Sequence, residues 1–206
     1  MICRAAFIIV PINRMTTMTF TIRTLDQNQA AARQEEIVAV YQAAFSEPPY
    51  NRSLAEAHLF RTSFSEHRYR AGFRLVGALQ ADSGTLVGFA YGYNCRPGQW
   101  WYERVRSAAG PDFGRVWLEG SFQVAEVAVQ PRWQGHGAGT RLMEILMQDL
   151  PQPRAVLSTI NLDTPASRLY RRLGWQVLLQ PMIFPSVARP YKIMGIRLDR
   201  GPTSGA

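Results

Sequence analysis

The stretch "VAVQPRWQGHGAGTRLMEIL" (Val127–Leu146) runs from an apolar segment, through a loop holding three glycines, into a segment of helical period. Leu142, Ile145, Leu146 and Leu150 fall on one helical face, and Pro151 must stop it. A helix starting near Gly137–Gly139 leaves its first backbone N–H groups without carbonyl partners, and their partial positive charge makes an anion site. Glycine at 135, 137 and 139 removes the Cβ atoms that would hold a phosphate away from those amides. Arg132 and Arg141 add long-range attraction. Two phosphate loops are excluded by spacing: GxxxxGK[ST] occurs nowhere, and GxGxxG fails because position 140 is Thr.

Outward from this loop, "TFTIRTL" (Thr19–Leu25) alternates as a strand, and Asp26 with Gln29 forms a capping box before a helix over about 29–45. The prolines of "SEPPY" (Ser46–Tyr50) end that helix, and a second covers Leu54–His67. Phe73–Leu79 and Leu86–Asn94 make a hairpin about "QADSGT". Within Cys95–Arg115, "GQWWYERVRSAAG" is compatible with a short helix and "PDFG" with a turn. Val116–Val129 has the pattern of one long strand or a bent pair. Ala155–Ile160 is a further strand. In "DTPASRLYRRLGW" (Asp163–Trp175), Asp163 or Thr164 can cap a helix with Pro165 at its first position, and Gly174 ends it. "WQVLL" and Tyr191–Leu198 close the chain. The order β-α-α-β-β-β-α-β-α-β-β implies one α+β or mixed α/β domain.

A chain of 206 residues fits one domain; it is 47% hydrophobic and 18% charged, which supports a core and excludes a disordered chain. Net charge is +8, and Lys192 is the only lysine among 23 basic residues. The arginines are scattered, which argues against specific nucleic-acid binding; the same positive field suits a phosphate-bearing small ligand. Cys3 and Cys95 form no CxxC, and His58, His67 and His136 have no metal-ligand spacing, so neither a disulfide framework nor a metal site is expected, and cytoplasmic location is the default. "AAFIIVP" (Ala5–Pro11) is too short to span a bilayer. Residues 1–17 are expected to be a disordered tail or an upstream mis-assigned start, 18–199 the domain, and 200–206 a flexible tail.

Two separated motifs in order carry a family resemblance. Gln134, Gly137 and Gly139 fit Q/R-x-x-G-x-G/A, within a strand, a Pro-containing turn, a loop and a helix. Downstream, Ala166, Leu169, Tyr170 and Gly174 match N-x-x-A-x-x-L-Y-x-x-x-G-F, with Trp175 in the aromatic place and Asp163 where Asn is usual. The sequence resembles the GNAT superfamily of N-acetyltransferases. That resemblance implies a single domain with a mixed, mostly antiparallel seven-stranded sheet, splayed at strands 4 and 5 and flanked by helices. It implies acetyl-CoA as co-substrate, with pyrophosphate on the amides of Gly135, His136, Gly137, Ala138, Gly139 and Thr140, beside Gln134. The pantetheine arm would pair with backbone at Val127, Ala128 and Val129, near Asp163 and Ala166. A homodimer is a common outcome in this family.

Acetyl transfer to an amine needs a base for the amine, a donor for the thioester oxygen and a proton for the departing sulfur. Tyr170 matches the family's usual acid position. Glu126 is the candidate base, directly or through water, since it lies on the strand that would face the thioester, and alternation puts it with Val124 and Ala128, opposite Val127 and Val129, so it need not face the core; Glu119 is an alternative. The oxygen's donor would be a backbone N–H near Val127 or Val129. The family's acceptor regions here hold Phe45, Tyr50, Trp100 and Trp101, with Pro48, Pro49, Tyr102, Phe184 and Tyr191 nearby, an apolar or flat pocket for a primary amine of a small molecule or peptide. The insertion before Val116 is a candidate lid or pocket wall. A non-catalytic CoA-binding regulatory domain of the same fold remains the alternative.

Overall fold

Seven strands make one sheet in the computed structural model, which describes residues 19–185 and 189–198. The expectations for the two tails, and Cys3, lie outside the described residues. The strands are β1 (Phe20–Leu25), β2 (Arg74–Gln80), β3 (Leu86–Asn94), β4 (Phe122–Val129), β5 (Arg154–Ile160), β6 (Gln176–Met182) and β7 (Tyr191–Arg197). Their spatial order is β1-β2-β3-β4-β5-β7-β6, and all neighbours are antiparallel except β4 and β5. That parallel pair touches in register only at Phe122–Ala155 and Gln123–Val156, then diverges. The expected splay is therefore present, and beyond Gln123 no strand among the described residues lies against the β5 side of β4.

The helices cover the two faces. Helices α1 (Gln27–Ala32), α2 (Gln34–Phe45) and α3 (Leu54–His67) lie on one, where Ile37, Tyr41, Phe60 and Phe64 pack on Leu75, Phe89 and Tyr91. On the other, Leu142, Met143 and Leu146 of α6 (Ala138–Met147) and Tyr170 of α7 (Pro165–Arg172) pack on Val76, Ala90, Phe122 and Val124. The capping box at Asp26 is formed, with its carboxylate accepting from the Asn28 and Gln29 amides. The first helix is nevertheless split at Arg33, whose guanidinium reaches Glu36 and the Gly84 carbonyl. Glu36 also accepts from the Leu86 amide at 3.0 Å, so the break ties α2 to the β2–β3 hairpin.

The largest departure from the sequence reading is at 110–121. The run from Val116 is β-rich in composition, yet the helix α4 (Trp100–Ala109) is followed by α5 (Pro111–Phe113) and a π-type turn over Gly114–Leu118, and the strand begins only at Phe122. Tertiary contacts override local preference there. Leu118 is fully buried beside Trp101, Tyr102 and Val105, and the Arg197 guanidinium lies 5.2 Å from the Trp117 ring centroid. Gly120, at φ +68°, then reverses the chain.

A β-bulge corrects the alternation expected for β4. Gly92 pairs with Val124 but Tyr91 pairs with Glu126, leaving Ala125 as the extra residue. Val124 therefore packs on the α6 side, while Ala125 and Ala128 pack on the α2–α3 side, and Glu126 shares that second face. Gly92 permits this, because a Cβ there would stand 2.3 Å from the Gln123 carbonyl oxygen and 2.4 Å from the Phe122 ring. Gly92→Ala is expected to cost about 2–3 kcal/mol of stability, read as a lowered midpoint in denaturant unfolding. An unchanged midpoint would show that the bulge is not held by this close approach.

Candidate active site

The bulge and the splay open onto one cavity of about 240 Å³. Its floor carries Glu126 and Val127 from β4, with Ser158 and Thr159 from β5 across the gap. Tyr170 and Ala166 of α7 close one side. Phe45, Tyr50, Trp100 and Trp101 line the same space, so the two candidate catalytic side chains and all four candidate acceptor residues meet there. The insertion forms a wall: Trp101 donates its indole N–H to Ser158 Oγ at 3.1 Å, and Trp100 stacks on Phe184 at 5.5 Å. Phe45 and Tyr50 meet edge to face at 4.8 Å, as the chain turns out of α2.

Burial governs the chemistry of the ionisable groups. Removal from water pushes the Glu126 carboxyl up to about 8, opposed by the Arg52 charge and by the Val127 backbone N–H. The Tyr170 phenol is raised by burial first, then by Tyr50 and Glu126, so it keeps its proton across the working range. A carboxyl near 8 and a persistently protonated phenol share one cavity. That combination suits proton uptake by the first and proton donation by the second.

Backbone geometry defines the neighbouring groove. The Gln130 N–H donates to the Val87 carbonyl, and the β3–β4 register aligns Ala128 with Phe89 and Glu126 with Tyr91. Ladder bonds alternate, so Ala128 and Glu126 turn their backbone groups toward β3, and Val127 and Val129 turn theirs toward the gap. Gln134 donates from its side-chain amide to the Val129 carbonyl at 2.9 Å, on the gap side of β4.

In the loop, Gly135 and Gly137 have φ of +79° and +84° with open space where a Cβ would be, and Gly137 is the residue before α6. Among the described residues, the backbone N–H groups of 135–140 have no hydrogen-bond partner. Gly139 differs: its missing Cβ would meet Leu169 Cδ2 at 3.2 Å, so it lets α6 pack on α7. His136 is exposed on the loop, Ala138 is buried and Thr140 half-buried. Asp163 is exposed and held by Arg168 at 2.8 Å and Arg171 at 2.5 Å, which draw its carboxyl below the ordinary range; Thr164 supplies the cap of α7.

Arg52 was not legible as a site residue. It follows the double proline and precedes the Ser53–Glu56 capping box, which reads as helix-start chemistry. Only the tertiary fold brings it to the cavity, with its guanidinium on Glu56 and on the Tyr191 hydroxyl at 2.9 Å. Glu119 lines a different hollow, with Asn94, Cys95 and Gln152, away from this cavity.

With the geometry in hand, comparison with known proteins is specific. Residues 35–175 match the model of the acetyltransferase (GNAT) family. A GCN5-like protein acetyltransferase of Mycobacterium tuberculosis is 33% identical over 129 residues, 59% of this chain and 63% of that protein. The match therefore spans less than two thirds of that relative's length. The ribosomal-protein-S18-alanine N-acetyltransferase of Escherichia coli aligns with a TM-score of 0.60 at 16% identity, over 91% of this chain and 99% of that one. A Salmonella typhimurium acetyltransferase solved with its cofactor acetyl-CoA aligns with a TM-score of 0.58 at 19% identity, over 91% and 99%. At such identities the structural likeness is one of fold.

Proposed function

On the premise that this chain belongs to the GNAT family of acetyltransferases, we propose that it transfers an acetyl group from acetyl-CoA directly to a primary amine of a small molecule or peptide. The observation that carries this reading is the pairing, in one cavity, of Glu126 with its carboxyl pushed up to about 8 and Tyr170 with its phenol held protonated. Both lie where β4 and β5 part.

The groove fits the co-substrate. Unpartnered amides at 135–140, at the start of a ten-residue helix, suit a pyrophosphate, and open space at Gly135 and Gly137 lets one approach closely. Val127 and Val129 offer backbone groups along the gap for an extended amide chain to pair with. Acetyl-CoA supplies an activated acyl carbon and a thiolate leaving group. Glu126 takes the proton that the amine must lose, directly or through water. A Val127 or Val129 N–H faces the charge that develops on the carbonyl oxygen, and Tyr170 gives its proton to the sulfur. The C–S bond breaks as the C–N bond forms, and one proton is taken up for one given. Ala166 lines the cavity, Gln134 holds the Val129 carbonyl at the groove's edge, and Asp163, tied to Arg168 and Arg171, stands just ahead of α7 as the further contact we propose for the pantetheine arm. The setting we propose is the cytoplasm; no helix among the described residues is long and apolar enough to cross a membrane.

The co-substrate site is tested at Gly137. A branched residue at φ +84° is strained by at least about 1–2 kcal/mol, and relieving that strain turns the amides away. Gly137→Val should weaken acetyl-CoA binding by roughly 10-fold or more in calorimetric titration, the cost expected from that strain alone. Equal affinity in the two proteins would remove the loop from the site.

A further inference from the structure

Two charged side chains line the cavity among the described residues, Glu126 and Arg52. Arg52 is held from behind. Its Nη1 pairs with Glu56, whose other oxygen accepts from the Ser53 amide at 2.8 Å, and its Nη2 donates to the Tyr191 hydroxyl. A guanidinium has five N–H donors, and these contacts use two; the others have no partner among the described residues. The side chain is 28% exposed. A fixed cation thus stands at the cavity wall with donors to spare, across from the candidate base. Aromatic rings form more than half of the remaining lining.

We propose that Arg52 is the specificity-determining residue of this cavity and reads a carboxylate, so that the acceptor is a free amino acid with an aromatic side chain. This rests on the transferase reading above. The zwitterion of an amino acid carries its opposite charges on two groups attached to one carbon, and Glu126 and Arg52 present the complementary pair. The amine turns to Glu126, the carboxylate takes the free edge of the guanidinium in a charge-assisted pair, and the ring lies against Trp100, Trp101, Phe45 and Tyr50. A polyamine or aminoglycoside would bring several cations to a single carboxylate. A peptide N-terminus would offer Arg52 a neutral amide. The chemistry is the transfer already described: the ammonium gives one proton to Glu126, which frees its lone pair; the C–N bond forms as the C–S bond breaks; the sulfur takes a proton from Tyr170, and the second proton shed by the amine nitrogen replaces it. The products are an N-acetyl amino acid and free CoA.

The test compares phenylalanine with phenethylamine, which differs only by the carboxylate, as acceptors at a pH above 8 so that ionisation of Glu126 does not enter. Wild type should favour phenylalanine in kcat/KM by about 10- to 100-fold, the worth of hydrogen bonds to a charged partner. Arg52→Gln should lose about that factor for phenylalanine relative to phenethylamine, and Arg52→Lys should restore part of it; thermal melts confirm that both variants fold. Equal or better use of phenethylamine by wild type, or an Arg52→Gln loss equal for both amines, overturns the proposal. Calorimetric binding of phenylalanine to the CoA-bound protein separates the two readings. Binding that needs Arg52 without turnover keeps Arg52 as the carboxylate reader and defeats the transferase reading, and with it the acceptor role; transfer to amines with no Arg52 dependence keeps the transferase reading and overturns the proposal.

Discussion

Glu126→Gln is expected to lower the rate of acetyl transfer by roughly 100-fold or more and to abolish its pH dependence near 8. A positioned general base contributes on that scale. Glutamine keeps the shape and a hydrogen-bonding oxygen but cannot take a proton. In wild type the carboxyl is pushed up to about 8 by burial, so the base form fills as pH rises through 8. The rate should climb with pH and level off above that point; in the variant the limb should be absent. Stability gives a second readout with a definite sign. The folded carboxyl titrates above its ordinary value of 4.5, so between about 4.5 and 8 the folded state holds a proton that the unfolded chain has shed. Stability attributable to Glu126 therefore falls as pH rises through that window. Glu126→Gln should gain in melting temperature relative to wild type at pH 9 compared with pH 5. A rate limb near 8 that survives in the variant would assign it to another group.

Tyr170→Phe should lower turnover by about 100-fold and leave acetyl-CoA affinity within a few-fold. The ring packs in the apolar cluster beside Trp175, with centroids 6.1 Å apart, and phenylalanine preserves that contact. What is lost is one proton donor facing the cavity. Because burial keeps the phenol protonated, its removal should not introduce or erase a pH limb. The pattern that supports an acid is a fall in kcat at constant affinity, and the effect should shrink for an acyl donor with a better leaving group. Unchanged kcat would leave Tyr170 as a packing residue of α7.

Much of this was legible in the sequence because it rested on local rules. Asp26 and Thr164 cap helices by short-range hydrogen bonds, and Pro165 and Gly174 bracket α7 as their backbone preferences require. The glycine loop was read from its own residues and the splay from the family resemblance, and both stand where they were expected. Other features depend on long-range contacts. The bulge at Ala125 that turns Glu126 into the cavity exists because Gly92, on another strand, leaves room for it. The helical course of Val116–Leu118 is imposed by Trp101, Tyr102 and β7, against the β character of its residues. Gly139, which reads as part of a phosphate cradle, answers to Leu169 on a later helix. Arg52 carries no signal at all until Tyr191 is folded back beside it.

The most direct test counts two products at once: free CoA thiol and acetylated amine, from wild-type protein, acetyl-CoA and a panel of amino acids, monoamines, peptides and aminoglycosides above pH 8. One thiol released for each amine acetylated is the expected result. Acetyl-CoA that binds but is neither cleaved nor transferred, against every amine in the panel, would contradict it and leave a CoA-binding regulatory domain in its place.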